Sequence, residues 1–431
     1  MSNKRKLVVS VTSIAFLALA GCGNQQGTST DKKADDKPVT LRMYQLVAAL
    51  SDDEFRDFMV EPLKKKYPHI TLELVRSDKD NSIENLIAAN HFPDLIFTAS
   101  NFLFNSVKYS LPMDLNELIK KNNMNVNRFD QTAIEDIKAF SDKGELLALP
   151  FSTNFSIMLY NKNIFDRFGV AYPKDGMTWE EVIAIAKKVE REDGGTQYRG
   201  INPWDVRKFA TPLSLPVVDP KTGKAILNTD GWKKAYQYMK AITDISSGNN
   251  KYPSFQKDGT LAMFTSYGDI FGDIEKQAQT PAGMQFDWDF TTMPSFKEAP
   301  GYGFRSLSHD LAISSTSQHK EEAFKVIQFL TSDELQLTLT KRGIRFPAID
   351  DQKLKDAFGA FSPILKGKNM QAIFKTKNAK NPIPTLYDDF AVSELNAAFT
   401  KVKDGKADIN TALREAEDLA NQKIATQKGS Q

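Results

Sequence analysis

LALPFSTNFSIMLYNKNIFDRFGVAYPKDGMTWEEVIAIAKKV, running from Leu147 to Val189, decides how the rest of the chain is read. Phe155 to Tyr160 is rich in apolar, β-favouring side chains and predicts a buried strand. Asn161-Lys162-Asn163 is turn-prone and ends it, and Pro173 and Gly176 mark a loop further on. Thr178 stands three residues before Glu181, the spacing of a capping box that satisfies two orphan amides at a helix start. Trp179, Val182, Ile183, Ala186 and Val189 follow at helical spacing, so one face of that helix is apolar.

Upstream, strands and helices alternate. Thr40–Gln45 reads as a short strand, and Ser51 with Glu54 three residues on opens a helix whose apolar positions run from Phe55 to Tyr67. Ile70, Leu72 and Leu74 alternate as in a strand, Ser82 to Asn90 is amphipathic, and Pro93–Thr98 reads as a buried strand running into a polar loop at Ser100-Asn101. This β-α-β-α-β order predicts an α/β fold with a mainly parallel sheet, and ligands beyond the carboxyl ends of its strands. Downstream, Tyr198–Trp204, the segment 258–270 (DGTLAMFTSYGDI) and Phe286–Pro294 carry strands, while Gly231–Ser246, Lys320–Leu330, Ser332–Thr340 and Asp408–Ile424 carry helices. Trp179, Trp232 and Trp288 are expected in the core.

The N-terminus is a processing signal. Lys4, Arg5 and Lys6 precede an apolar run from Leu7 to Ala20, shorter than the ~20 residues of a membrane-spanning helix. The run ends Leu19-Ala20-Gly21-Cys22, which resembles a lipobox: residues 1–21 form a lipoprotein signal peptide and Cys22 is the lipidation site. Cys22 is the chain's single cysteine, so an internal disulfide is excluded. Residues 22–38 hold the lipidated cysteine and a polar tether too poor in apolar residues to fold. Losing the leader takes the formal net charge from +2 to −1. With no basic run and no basic–aromatic interleaving, no nucleic-acid partner is expected. The body of roughly 390 residues exceeds the size at which single cores stop growing, so two lobes are expected.

The succession LPF, LYNKNIFDRFGV and P-x-x-G-x-TWEE resembles the extracellular solute-binding proteins of carbohydrate ABC transporters, the family that includes maltose-binding protein. PDLIF, the Ala-Met strand in 258–270, WDFTTMP and the segment 300–313 (PGYGFRSLSHDLAI) follow in the family's order. The resemblance implies a two-lobed periplasmic-binding-protein-like fold of type II, with parallel-rich sheets flanked by helices and a hinge of crossing strands. It divides the chain into a first lobe of residues 39–149 with 310–346 and a second of 150–309 with 347–431. It implies a monomer anchored at Cys22 in the cell membrane, facing the extracellular side or, in a Gram-negative cell, the periplasm. Such a protein captures a small-molecule solute, a carbohydrate, by hinge closure and delivers it to ABC permease subunits.

The residues themselves offer no catalytic constellation. The four histidines are scattered without metal spacing, and Gly301-Tyr302-Gly303 lacks the third glycine of a dinucleotide loop. No enzyme activity, catalytic residue, metal or cofactor is expected. A sugar presents hydroxyls to polar side chains and C–H faces to aromatic rings. The expected ligand-binding set is therefore drawn from strand ends and crossings: Gln45, Ser100, Asn101, Asn154, Trp204, Asp205, Ser266, Tyr267, Asp269, Arg305, His309 and Tyr387. Arg305, Arg345 and His309 keep open an anionic or other non-sugar solute, such as a sugar phosphate or a polyamine. A surface hydrolase is the reading of a different class.

Overall fold

The chain changes sheets at Asn154. The strands either side of it, β4 (Leu149–Thr153) and β5 (Ser156–Asn161), belong to separate sheets. The computed structural model describes residues 37–429 except Ala49, Asp142, Pro203, 246–252 and Ser306. The leader, Cys22 and most of the tether lie outside the described residues.

The first sheet joins β1 (Val39–Leu46), β2 (Ile70–Arg76), β3 (Leu95–Ala99) and β4 to β13 (Ser308–Ile313) and β14 (Phe346–Pro347), in the order β14-β4-β13-β3-β1-β2. The parallel expectation holds for β1 with β2 and β3. β13 is antiparallel to both β3 and β4, and β14 is antiparallel to β4, so the sheet is mixed. The cause is direction of travel: β4 leaves toward the second lobe, and strands re-entering from that edge must run the opposite way.

The second sheet has the order β11-β5-β10-β7-β6, with β6 (Arg191–Asp193), β7 (Thr196–Ile201), β10 (Leu261–Tyr267) and β11 (Trp288–Thr292). Two small pairs complete the strands, β8 (Val218–Asp219) with β9 (Lys224–Ala225), and β12 (Tyr302–Arg305) with β15 (Lys377–Ala379). β5 is buried along its whole length because both of its faces are covered. Met158 and Tyr160 enter one core with Trp179, Val182 and the C-terminal helices, while Ile157 and Leu159 enter another with Phe271 and Phe290. A continuous apolar run is what such a strand requires.

Both capping boxes are present, at Ser51 with Glu54 and at Thr178 with Glu181. The helical run after Ser51 is interrupted by one π-helical segment, Arg56–Val60. Trp179, Trp232 and Trp288 are buried. Ser100-Asn101, expected in a loop, instead opens the helix Ser100–Val107 directly after β3. Ala348, Ile349 and Leu354 still pack in the first core, and Phe358 and Leu365 in the second-lobe core around β5. We therefore propose that the chain's last changeover between lobes falls between Leu354 and Phe358, later than residue 346.

The crossings are tied to one another. Asn154 N–H donates to Leu307 O at 2.8 Å, joining the outgoing chain to the returning one. Because β5 starts where β4 ends, and β7, β10 and β11 run back toward the first sheet, the carboxyl ends of strands from both sheets meet around these crossings.

Candidate functional site

The second lobe's wall is built on the ends of β7 and β10. After β7 the chain turns through Asn202 to Trp204, and Asp205 accepts the Lys208 amide at 3.0 Å to cap the helix Val206–Ala210. That cap fixes the helix start, so Arg207 and Lys208 fall in its first turn beside Trp204. Trp204 Nε1 donates to Thr265 O at 2.6 Å and lies 3.0 Å from Thr265 Oγ1, pinning the indole to β10. The Lys208 ammonium lies 3.3 Å from the centroid of the Trp204 ring, 5.2 Å from that of Tyr267 and 5.3 Å from that of Phe304. Burial pushes this ammonium down to about 8, against the pull of Asp269 and Asp205. Ser266, Tyr267 and Asp269 continue the wall, and burial raises the Asp269 carboxyl despite the nearby Lys208 and Arg345 charges.

An adjoining hollow lies between the lobes. Ser100 and Asn101 line it from the first lobe with Asp136 of the helix Gln131–Lys138, and Arg207, Arg305 and Asp388 line it from the second. Its space, open mouth included, is about 830 Å³. Asp136 accepts from Asn381 Nδ2 at 2.6 Å, a hydrogen bond from one lobe to the other. Burial pushes the Asp136 carboxyl up to about 6.

Of the twelve residues expected at the site, seven gather here: Ser100, Asn101 and Arg305 around the interlobe hollow, and Trp204, Ser266, Tyr267 and Asp269 on the β7–β10 wall. Asn154 sits between the sheets, but its Oδ1 accepts the amides of Gly268 at 3.0 Å and Phe155 at 3.1 Å. Those bonds make it chiefly a stitch between the crossing and the end of β10. The other four have different surroundings. The Gln45 carboxamide is consumed by Ala48 O, Leu50 O and Arg76, holding the loop after β1. Asp205 is an exposed helix cap. His309 is buried in the first sheet, its ring stacked on Phe97 and its Nδ1 accepting from Arg345 Nη1 at 3.1 Å, with the Ser152 hydroxyl 3.2 Å away. Burial and the Arg345 charge hold that ring neutral. Tyr387 packs under Lys428 Nζ, 4.9 Å from its ring centroid, where Lys428 also reaches Gly223 O; its neighbour Asp388 is the residue that reaches the hollow.

Sequence reasoning missed Arg207, Lys208, Asp136 and Asn381. For Arg207 and Lys208 the available signal was position, since their helix follows a strand's carboxyl end, where ligands bind in α/β folds. Among the described residues no group of three or more His, Cys, Asp or Glu is placed to hold a metal ion, and no helix is long and apolar enough to cross a membrane.

The family model for bacterial extracellular solute-binding proteins matches residues 45–337. The arabinooligosaccharide-binding protein of Bacillus subtilis is 27% identical over 240 residues, covering 52% of this chain and 51% of that protein. The chain thus spans about half the length of this curated relative. The sn-glycerol-3-phosphate-binding periplasmic protein of Brucella melitensis is 25% identical over 341 residues, covering 69% of this chain and 72% of that one. Among solved structures, an ABC substrate-binding protein of Listeria monocytogenes in complex with cycloalternan superposes with a TM-score of 0.69 at 19% identity, over 90% of this chain and all of that one. The architecture is the two-lobed α/β fold of periplasmic binding proteins.

Proposed function

Because this chain belongs to the bacterial extracellular solute-binding protein family, we propose that it captures a saccharide outside the cytoplasm and hands it to the permease of an ABC importer. The observation that carries this reading is the Trp204 wall. An indole anchored by its N–H to β10 presents a fixed face at the carboxyl ends of strands, beside Tyr267, Ser266 and Asp269. Fixed aromatic faces bordered by donors and acceptors suit a sugar ring. The names of the relatives agree in kind, since each is a binding protein.

Closure is the mechanism we assign. Walls from both lobes contact one solute, so its binding favours the closed arrangement by the difference in its affinity for the two. Lys208 lies on the stacking face of Trp204, so a sugar entering there has to displace its ammonium or bind alongside it. A saccharide that binds only the folded protein raises its stability by about 2.7 kcal/mol at a hundredfold excess over Kd. Thermal shift across a panel of oligosaccharides, with small-angle scattering on any hit, checks this: the melting temperature rises, the radius of gyration falls and the sugar is recovered unchanged. An unaltered radius at saturation argues against closure, and turnover of the sugar argues for the hydrolase reading.

Lipidation at Cys22 is part of the same proposal and places the body on the outer face of the cell membrane. Cys22→Ser releases a folded protein into the medium or periplasm. Membrane association of that variant equal to the natural chain's, in a cell fractionation, removes the anchor.

A further inference from the structure

We propose that the captured solute carries an anionic group, a carboxylate or a phosphate, which seats between Arg207 and Arg305 in the interlobe hollow. This rests on the reading of the chain as a saccharide receptor and narrows its substrate class.

Two guanidinium-bearing side chains of the second lobe, one from the helix Val206–Ala210 and one from the end of β12, line the same hollow. Neither lies within ion-pairing distance of a carboxylate among the described residues. Arg207 is lowered by burial first and then by the Arg305 charge, with Asp388, Asp389 and Asp205 pulling the other way. Like charges held together in a half-buried cleft are unfavourable unless something neutralises them. The two carboxylates that share the hollow feel these guanidinium charges, but each is hydrogen-bonded to another group. Asp136 takes the Asn381 amide at 2.6 Å, and Asp388 takes the Thr385 hydroxyl at 2.7 Å. Burial raises both carboxyls, which favours their neutral forms and leaves the guanidinium charge less compensated. Across the hollow, Ser100 and Asn101 begin a helix with no side-chain cap on its first amides.

Arginine's planar fork matches carboxylate and phosphate oxygens, so an anion on the solute completes an arrangement the protein leaves open. Arg345, the other arginine of the crossings, behaves differently. It is buried against Glu54 and His309 and plays no part in the proposal. The contrast separates an arginine used to hold the fold from two kept for a ligand.

The test uses the mature chain and an Arg207→Gln/Arg305→Gln variant. Sulfate and inorganic phosphate, each compared with chloride at matched ionic strength, raise the melting temperature of the natural chain. The variant loses that anion-specific shift, while its ligand-free melting temperature stays equal or rises because the mutual repulsion is gone. A structural role for the pair predicts a lower ligand-free value instead. Titrations with oligogalacturonates and with sugar phosphates, each beside its neutral counterpart, then separate carboxylate from phosphate as the source of the charge. The preferred acidic sugar loses about tenfold or more in affinity per guanidinium removed. An anion shift that survives in the variant, or is absent from the natural chain, overturns the inference. So does a neutral sugar that binds both chains as tightly as its acidic counterpart, although that result leaves the receptor reading standing. If no saccharide of either kind binds, the receptor reading falls, and a retained anion shift would then mark a site for a non-saccharide anion.

Discussion

Arg345→Met costs the folded protein about 3–5 kcal/mol, because it strands a partly buried carboxylate. Arg345 Nε lies 2.9 Å from Glu54 Oε1, with the two side chains only 4% and 15% exposed. Its other arm reaches His309. Glu54 also closes the capping box at Ser51, so one ion pair joins the segment leading into β14 to the opening helix of the first lobe. Burial pushes the Glu54 carboxyl up, but the Arg345 charge and the Ser51 amide outweigh it and hold the group below its ordinary value. A depressed acid contributes stability above its unfolded pKa and loses it as pH falls through the folded one. With Arg345 gone only the Ser51 amide and hydroxyl oppose the burial, so the Glu54 carboxyl rises and holding it charged in the fold costs more. Urea unfolding at pH 7 measures the loss. A midpoint within error of the natural chain's would show that Glu54 finds other solvation, and the ion pair would drop out of the account.

Asp310→Asn has the opposite sign and grows with pH. Asp310 is fully buried in β13, between Thr98 of β3 and Pro150 of β4, and neither carboxyl oxygen has a hydrogen-bond partner. Burial pushes this carboxyl up from 3.8 to about 8, with the nearby Ser308 side chain pulling against it and the Asp136 charge adding to it. The folded form therefore holds a proton that the unfolded chain has released. The contribution is intact below pH 4 and is lost between 4 and 8 at about 1.4 kcal/mol per pH unit. Asparagine keeps the shape and cannot ionise, so the variant melts higher than the natural chain at pH 8.5, and the gap closes as the pH falls to 4. Melts across that range check the slope. Parallel curves for the two proteins would mean that Asp310 is solvated or paired and is not the buried acid described here.

Much of the fold was legible because its signals are local. The capping boxes at Ser51 and Thr178 need only a hydroxyl and a carboxylate three residues apart, and both form. The run through β5 announced a buried strand, and the structure covers it on both faces. The site was harder, because on a strand the direction of a side chain depends on register, and one residue's shift exchanges core for cleft. His309 pairs with Ala99 and stacks on Phe97, and nothing within 300–313 says which way its ring turns. Gln45 was lost to a loop that needed its amide more than a ligand did. Arg207 and Lys208 were missed for the converse reason: charged residues early in a helix usually face solvent, and only the packing of β7 against β10 turns them to the cleft.

The position of β13 also constrains how the chain can be made. This strand lies between β3 and β4, so the first sheet has a missing middle until residues 308–313 arrive, some 150 residues after β4. The lobe that begins the chain therefore cannot finish first. The pairing of β13 with β4 closes a loop that holds the second lobe's first sheet-forming stretch, residues 154–307, and such high contact order slows folding. A nascent chain stopped anywhere before Ser308 leaves the facing edges of β3 and β4 without the strand that joins them. Slow, late closure keeps a polypeptide extended for longer, which is the form in which an export channel can thread it.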